Sequence, residues 1–149
     1  MIDILSLDTI KMNAKAASKL DAIRQAGKLL VKSGRVKADY IKGMLAREET
    51  MSTYVGNGVS IPHGEFGDLE LVKNTGISVL QLPEGVEWMD GEKAYLVIGI
   101  ASKSDEHIKI LQNLAEVVEN PATAEMLAHT TDAQVILDHL NRPPRIESD

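Results

Sequence analysis

Apolar residues recur at helical spacing in two stretches near the start of the chain. The first stretch covers Leu20–Val31 and is followed by Gly34, a common helix stop. Ser18, with Asp21 three residues later, is typical of a helix start. The second stretch covers roughly residues 38–48. One face of this second predicted helix carries Ile41, Met44 and Leu45.

The middle of the chain changes from helical to strand-like patterns. Ile77–Leu82 alternates apolar and polar residues, as a strand does. Ala94–Ala101 is an almost continuous apolar run, which is typical of a strand buried on both faces. We expect Pro83–Gly85 to interrupt the first strand, and Asp90-Gly91 to form a turn before the second.

Helical periodicity returns in the last third of the chain, after Ser104. The predicted core-facing stripe of this helix is Ile108, Leu111, Leu114 or Ala115, and Val118. Asn120-Pro121 predicts the start of a shorter helix. The last predicted helix packs inward through Val135, Ile136 and Leu140.

Helices before and after a small number of strands predict a single-domain α/β (α+β) fold. We assign residues 1–141 to this domain. The Pro-containing segment 142–149 is predicted to be a flexible tail.

The composition is that of an ordinary globular domain, with 149 residues, 44% hydrophobic and 26% charged. The net charge of −6 comes without a basic stripe, so nucleic acid is not an expected partner. The absence of cysteine excludes disulfides, thiolate metal ligands and a cysteine nucleophile. No apolar stretch approaches the ~20 residues that span a bilayer, and no leader pattern is present. We therefore expect a cytoplasmic protein without direct membrane insertion.

A stretch rich in glycine and proline, Tyr54–Gly64, contains one histidine. Pro62 cannot donate to a central sheet ladder, so we expect a strand to end near it, with His63 at the strand end. Gly64 lacks a Cβ, so its N–H is expected to be open to a bulky group such as a phosphoryl group. A neutral imidazole, with an ordinary pKa near ~6.5, is a competent nucleophile for that group.

Two further side chains are candidates to accompany His63. Arg47 lies at the predicted end of the second helix, and a guanidinium can bind two phosphoryl oxygens together. His107 lies in the first turn of a helix, where an anion is favoured. The zinc-site histidine spacings and the Walker A glycine pattern are absent, so neither metal nor cofactor is expected and a protein donor is favoured over ATP. His129 and His139 are predicted to be a helix-end and a surface residue outside the site.

Several separate motifs follow one another over almost the whole chain: Met44-Leu45-Ala46-Arg47-Glu48, Thr53-Tyr54-Val55-Gly56, Ile61-Pro62-His63-Gly64, Leu82-Pro83-Glu84-Gly85-Val86, Leu96-Val97-Ile98-Gly99-Ile100-Ala101 and Glu106-His107-Ile108. In these motifs the chain resembles the mannitol/fructose class of enzyme IIA domains of the bacterial phosphoenolpyruvate-dependent sugar phosphotransferase system, and the mannitol branch in particular. One departure is Glu65, where the mannitol branch usually has threonine. A carboxylate beside a phosphohistidine would repel its charge, so we expect the Glu65 side chain to point away or the partner preference to differ.

The resemblance implies a mixed β-sheet flanked by helices. It implies that His63 accepts a phosphoryl group on Nε2, as a tele-phosphohistidine, from the phosphocarrier protein HPr and yields it to a IIB domain. It gives His107 the role of stabilising the phosphohistidine and Arg47 the role of binding the phosphate. Apolar residues around a shallow depression would dock both partners.

We therefore expect a phosphotransferase component of sugar transport that serves a hexitol, with mannitol as the preferred sugar. Two alternatives stay open. One is a regulatory enzyme IIA-like module that acts through phosphorylation-dependent protein binding. The other is a domain of the fructose branch or of another sugar branch.

Overall fold

A mixed sheet forms the centre of the molecule. The computed structural model describes residues 4–103 and 107–141, so the predicted tail, 142–149, lies outside the described residues. Within these two ranges the sheet has five strands, in the order β1-β4-β5-β3-β2. Their bounds are β1 Ile10–Lys11, β2 Tyr54–Gly56, β3 Val59–Ser60, β4 Gly76–Met89 and β5 Glu92–Ala101. The β1–β4 and β3–β5 pairs are parallel, whereas β4–β5 and β2–β3 are antiparallel.

Helices cover both faces of this sheet. In the described part of the chain they are α1 Lys19–Lys32, α2 Tyr40–Thr50, α3 His107–Val118, α4 Pro121–His129 and α5 Ala133–Leu140. Short 3₁₀ turns occupy Leu7–Thr9 and Phe66–Leu71. No helix among the described residues is long and apolar enough to cross a membrane. The predicted fold class, a mixed sheet flanked by helices, is confirmed.

Alternate residues of the central strands enter two different apolar clusters. Leu96, Ile98 and Ile100 of β5 pack with α3, α4 and α5. Val97 and Ala101 of the same strand pack with α1 and α2. Successive side chains of a strand point to opposite faces, so an almost continuous apolar run fills both layers. The prediction of a strand buried on both faces is confirmed.

The prediction that Pro83–Gly85 interrupts the first strand is wrong. β4 continues through this segment, and its register against β5 shifts between Gln81 and Val86. Extra residues in one strand of an antiparallel pair form a bulge, which removes Pro83 from the regular ladder. The turn at Asp90-Gly91 is confirmed, because Met89 pairs with Glu92 across it.

The helix predictions differ from the structure mainly at the ends and in phase. The start of α1 is confirmed, since the Ser18 side chain accepts the Asp21 N–H over 3.1 Å. The second helix lies two residues later than predicted, at Tyr40–Thr50. In α3, Leu114 is buried and Val118 packs against the core, as predicted, while Ile110 and Val117 are buried residues that the predicted stripe does not include. The side chains of Ile108 and Leu111 lie outside the described part of the structure.

Candidate functional site

His63 lies at a strand end, as predicted, three residues after the last residue of β3. It forms an isolated parallel bridge with Ile100, close to the end of β5. The Ile100 N–H donates to the Pro62 carbonyl over 2.9 Å, and the Ile61 N–H donates to the Thr53 carbonyl over 2.9 Å. The backbone that leads into His63 is therefore tied to a central strand on one side and to the segment after α2 on the other.

The imidazole of His63 is half-buried, and one of its ring nitrogens is bonded to its own backbone. Nδ1 lies 2.8 Å from the carbonyl oxygen of Ile61. A carbonyl oxygen can only accept, so the hydrogen of this bond belongs to Nδ1. In the neutral ring the other nitrogen, Nε2, then carries the lone pair.

The Tyr40 hydroxyl connects the first turn of α2 to the backbone on the other side of His63. It donates to the Ile100 carbonyl over 2.8 Å and accepts the Gly64 N–H over 2.9 Å. The expectation that the Gly64 N–H is open to a phosphoryl group is therefore wrong, because a buried hydroxyl already holds it. The absence of a Cβ at Gly64 has a different use here: a Cβ would lie 2.6 Å from Cε1 of Tyr40.

Burial also fixes the protonation state of this tyrosine. It raises the pKa of Tyr40 to about 12; the hydrogen bond from Gly64 opposes the rise and the carboxylate of Asp68 adds to it. The hydroxyl therefore keeps its proton at physiological pH. Tyr40 can donate and accept at the same time throughout that range.

Asp68 closes the turn that follows His63. Its Oδ2 accepts the Glu65 N–H over 2.8 Å. The same carboxylate packs over Gly43 of α2, where an added Cβ would collide with it. Glu65 itself is exposed, so its charge is solvated.

Arg47 lies in the last turn of α2, two helical turns after Tyr40 and on the same side of the helix. Its guanidinium donates to the Met51 carbonyl over 2.7 Å. Arg47 is linked to His63 indirectly, since the segment that Arg47 holds leads into Thr53, whose carbonyl accepts the Ile61 N–H.

His107 is the first residue of α3, six residues after the end of β5. Its side chain lies outside the described part of the structure. The bridge between His63 and Ile100 is parallel, so the His63 strand and β5 end at the same edge of the sheet. The backbone of His107 follows β5 from that edge.

A buried carboxylate that the sequence analysis did not single out supports the segment beside Arg47. Glu48 Oε1 accepts from the Thr53 N–H over 3.0 Å and from the Thr53 hydroxyl over 2.6 Å. Its Oε2 accepts the Trp88 indole N–H over 3.0 Å and lies 3.4 Å from the Lys19 ammonium. Burial by itself would raise the pKa of Glu48, but the hydrogen bonds from Thr53 and Ser52 and the charge of Lys19 together outweigh it, and the pKa lies below its ordinary value. The available signal was an acid four residues after Met44, on the buried side of α2.

The other two histidines lie elsewhere. His129 Nδ1 is 3.1 Å from the Glu125 carbonyl and its Nε2 is 3.2 Å from the Pro83 carbonyl. His139 Nδ1 is 2.9 Å from the Val135 carbonyl. Among the residues that the structure describes, no cluster of three or more His, Asp or Glu is arranged to hold a metal ion.

Comparison with known sequences gives a consistent assignment. The family described as "Phosphoenolpyruvate-dependent sugar phosphotransferase system, EIIA 2" matches residues 3–142. A multiphosphoryl transfer protein of Haemophilus influenzae is 48% identical over 128 residues, which are 86% of this chain and 26% of that protein. The chain thus spans about a quarter of that relative's length. The mannitol-specific phosphotransferase enzyme IIA component of Bacillus subtilis is 43% identical over 126 residues, 85% of this chain and 88% of that protein.

Comparison with solved structures agrees. The crystal structure of mannitol IIA from Escherichia coli has a TM-score of 0.85 and 39% identity, and the match covers 91% of this chain and 98% of that one. An Escherichia coli complex of mannitol IIA with phosphorylated mannitol IIB, solved by NMR, gives a TM-score of 0.86 and 38% identity, covering 91% of this chain and 96% of that one.

Proposed function

Since this chain belongs to the EIIA 2 family of the phosphoenolpyruvate-dependent sugar phosphotransferase system, we propose that it carries a phosphoryl group on Nε2 of His63 between two partner proteins. The observation that supports this most is the 2.8 Å contact between His63 Nδ1 and the Ile61 carbonyl. That contact supports a ring with the proton on Nδ1 and the nucleophilic lone pair on Nε2.

The Nε2 lone pair of His63 attacks the phosphorus of a donor phosphohistidine; the donor N–P bond breaks, and its electron pair returns to the donor imidazole. Positive charge builds on the His63 ring as the new N–P bond forms. The Ile61 carbonyl, which accepts the Nδ1 hydrogen, stabilises that charge. The retained Nδ1 proton also lets His63 leave as a neutral imidazole in the second transfer.

Arg47 is proposed to bind the phosphoryl oxygens and His107 to stabilise the phosphohistidine. For Arg47 the support is its place on α2 and its hold on Met51, in the segment that leads to the Thr53–Ile61 contact. A guanidinium can exchange a single carbonyl for two phosphoryl oxygens in a bidentate contact. For His107 the support is its position at the start of α3, which follows β5 from the His63 edge.

We propose HPr as the donor and a IIB domain as the acceptor, and a cytoplasmic location where both can be met. The Escherichia coli complex of mannitol IIA with phosphorylated mannitol IIB supports the acceptor, and family membership supports the donor. The net charge of −6 also favours association with a basic-faced donor.

Mannitol is the proposed sugar. The support comes from the mannitol-specific enzyme IIA component of Bacillus subtilis, 43% identical to this chain. The exposed Glu65, at a position where the mannitol branch usually has threonine, does not obstruct this proposal because its side chain is solvated. Transfer assays with IIB domains of different sugar specificity would distinguish mannitol from a fructose or other branch.

The test is incubation of the purified protein with phosphoenolpyruvate, enzyme I and HPr, followed by intact mass measurement before and after mild acid. We expect one acid-labile phosphoryl group on the wild type and on His139→Ala, and none on His63→Ala. His139→Ala is the matched control, because it removes a histidine that lies outside the site. An unmodified wild type, or a His63→Ala variant that is still modified, would contradict the proposal and favour a regulatory binding role.

A further inference from the structure

We propose that Tyr40 is the positioning residue of this site, holding His63 in its accepting orientation through a hydroxyl inserted between Gly64 and Ile100. The inference rests on the proposed function, because it concerns the orientation that makes Nε2 the acceptor. Tyr40, a residue of α2, has a supporting role in this proposal: it positions His63 and neither contacts the phosphoryl group nor reacts.

The position of the hydroxyl follows from ladder geometry. In a parallel pair, a residue bonds through its N–H to the residue before its partner and through its carbonyl to the residue after it. For the His63–Ile100 bridge the first of these bonds is present, from the Ile100 N–H to the Pro62 carbonyl over 2.9 Å. The second would join the Gly64 N–H to the Ile100 carbonyl. The Tyr40 hydroxyl bonds to both of these groups instead.

The hydroxyl thereby fixes the backbone on the carboxyl side of His63, as the Pro62 bond fixes it on the amino side. Because the backbone is held at Pro62 and at Gly64, the backbone of His63 between them is fixed. From this fixed position Nδ1 reaches the Ile61 carbonyl. Without the hydroxyl, Gly64 would lose the bond that anchors its N–H, and glycine has the widest backbone freedom of any residue. The His63 ring would then lose its single alignment.

The packing around Tyr40 gives the hydroxyl little freedom to move. The residue is 4% exposed. A Cβ added to Gly64 would lie 2.6 Å from Cε1 and 2.9 Å from Cζ of the Tyr40 ring. Asp68 packs against the same glycine, with its Cβ 3.2 Å from that position. Burial keeps the hydroxyl protonated, so the link does not titrate at physiological pH. These contacts make the link a fixed part of the site.

The chain offers a matched pair of variants for the test. Tyr40→Phe removes the hydroxyl that accepts the Gly64 N–H, and Tyr54→Phe removes one that accepts the Gly58 N–H over 3.0 Å. Each variant loses the same atom and leaves one glycine amide without that acceptor. Only the first amide adjoins His63. Transfer from phospho-HPr in a single turnover and the ring ¹⁵N shifts of His63 are measured for both variants.

We expect Tyr40→Phe to slow transfer by about ten- to a hundredfold, the scale of a misplacement near 1 Å. We also expect its His63 ¹⁵N shifts to report a mixture of tautomers. Tyr54→Phe should transfer at the wild-type rate and keep one tautomer, with the proton on Nδ1. Normal transfer by Tyr40→Phe, an unchanged tautomer in it, or an equal loss in Tyr54→Phe would each overturn the inference.

A measurement on the wild type covers the case in which Tyr40→Phe does not fold. The Gly64 amide should exchange with solvent more slowly than the amide of Gly67, an exposed turn residue. Rapid exchange at Gly64 would overturn the inference without any variant. Failure of the wild type to be phosphorylated on His63 would instead contradict the proposed function, while the tautomer and exchange data would still report on Tyr40.

Discussion

The two faces of the sheet are built differently. The buried cluster under α3, α4 and α5, here called the aliphatic layer, consists in the described residues of Leu, Ile, Val and Ala side chains. The cluster under α1 and α2, here called the site layer, includes Tyr40 and Trp88, whose polar atoms are hydrogen-bonded. The site layer thus both packs and positions groups around His63. Damage to the aliphatic layer should cost stability alone, whereas damage to the site layer should cost stability and transfer together.

The largest loss of stability is expected from the aliphatic layer. Ile98→Ala removes a fully buried side chain of β5. The free energy of unfolding should fall by about 2–5 kcal/mol, the usual cost of such a cavity. Urea unfolding measures this loss. The variant, assayed where it is still folded, should transfer the phosphoryl group at the wild-type rate, and a slowed transfer would contradict the division between the layers.

In the site layer the corresponding change is Glu48→Gln. The two carboxylate oxygens of Glu48 accept from the Trp88 indole and from the N–H and hydroxyl of Thr53. The side-chain amide of the variant has one oxygen fewer, so one of these donors is left without an acceptor. The free energy of unfolding should fall by about 1–3 kcal/mol. Transfer should also slow, because Thr53 accepts the Ile61 N–H beside the site. A variant that loses stability but transfers normally would place Glu48 with the purely structural residues.

The Glu48 carboxylate should also make the stability of the protein depend on pH. The pKa of Glu48 is lower in the folded chain than its ordinary value, near ~4.3. The carboxylate therefore contributes its full stabilisation of the fold when the pH is above that ordinary value. The contribution is lost as the pH falls through the lower, folded pKa. The difference in unfolding free energy between wild type and Glu48→Gln should therefore be constant near neutrality and shrink in acid. Unfolding curves across that range measure it; a difference that widens on acidification would contradict the assignment.

The smallest effect is expected at an exposed helix cap, Asn120. The Asn120 side chain accepts the Ala122 and Thr123 N–H groups at the start of α4, over 3.1 and 3.2 Å. Asn120→Ala should cost about 1 kcal/mol of unfolding free energy. Transfer should remain at the wild-type rate. Thermal unfolding together with the transfer assay checks both, and a loss of activity would show that α4 influences the site.

Local patterns predicted much of the fold from the sequence. The cap of α1, the Asp90-Gly91 turn and the buried β5 each depend on residues close in sequence, and all three are confirmed. The continuation of β4 through Pro83 was missed because a bulge depends on the register against β5. Register is set by the paired strand and the core, which one strand's sequence does not contain.

The site divides in the same way. His63 stands out because a proline and a glycine flank it, and the structure places it at the predicted strand end. Tyr40 was missed, since it lies 24 positions before Gly64 in the sequence and meets that glycine only after folding. The assumed use of Gly64 was wrong for the same reason: a glycine has no pattern that tells an open N–H from one that a distant hydroxyl holds. The roles of Arg47 and His107 stay predictions.

The most direct test of the account is to find the atom that carries the phosphoryl group. The protein is labelled with ¹⁵N-histidine and phosphorylated with phosphoenolpyruvate, enzyme I and HPr, and the ring nitrogens are correlated with ¹H and ³¹P by NMR. We expect coupling of phosphorus to Nε2 of His63, with the proton retained on Nδ1. Phosphorus on Nδ1, or on any other histidine, would contradict the account.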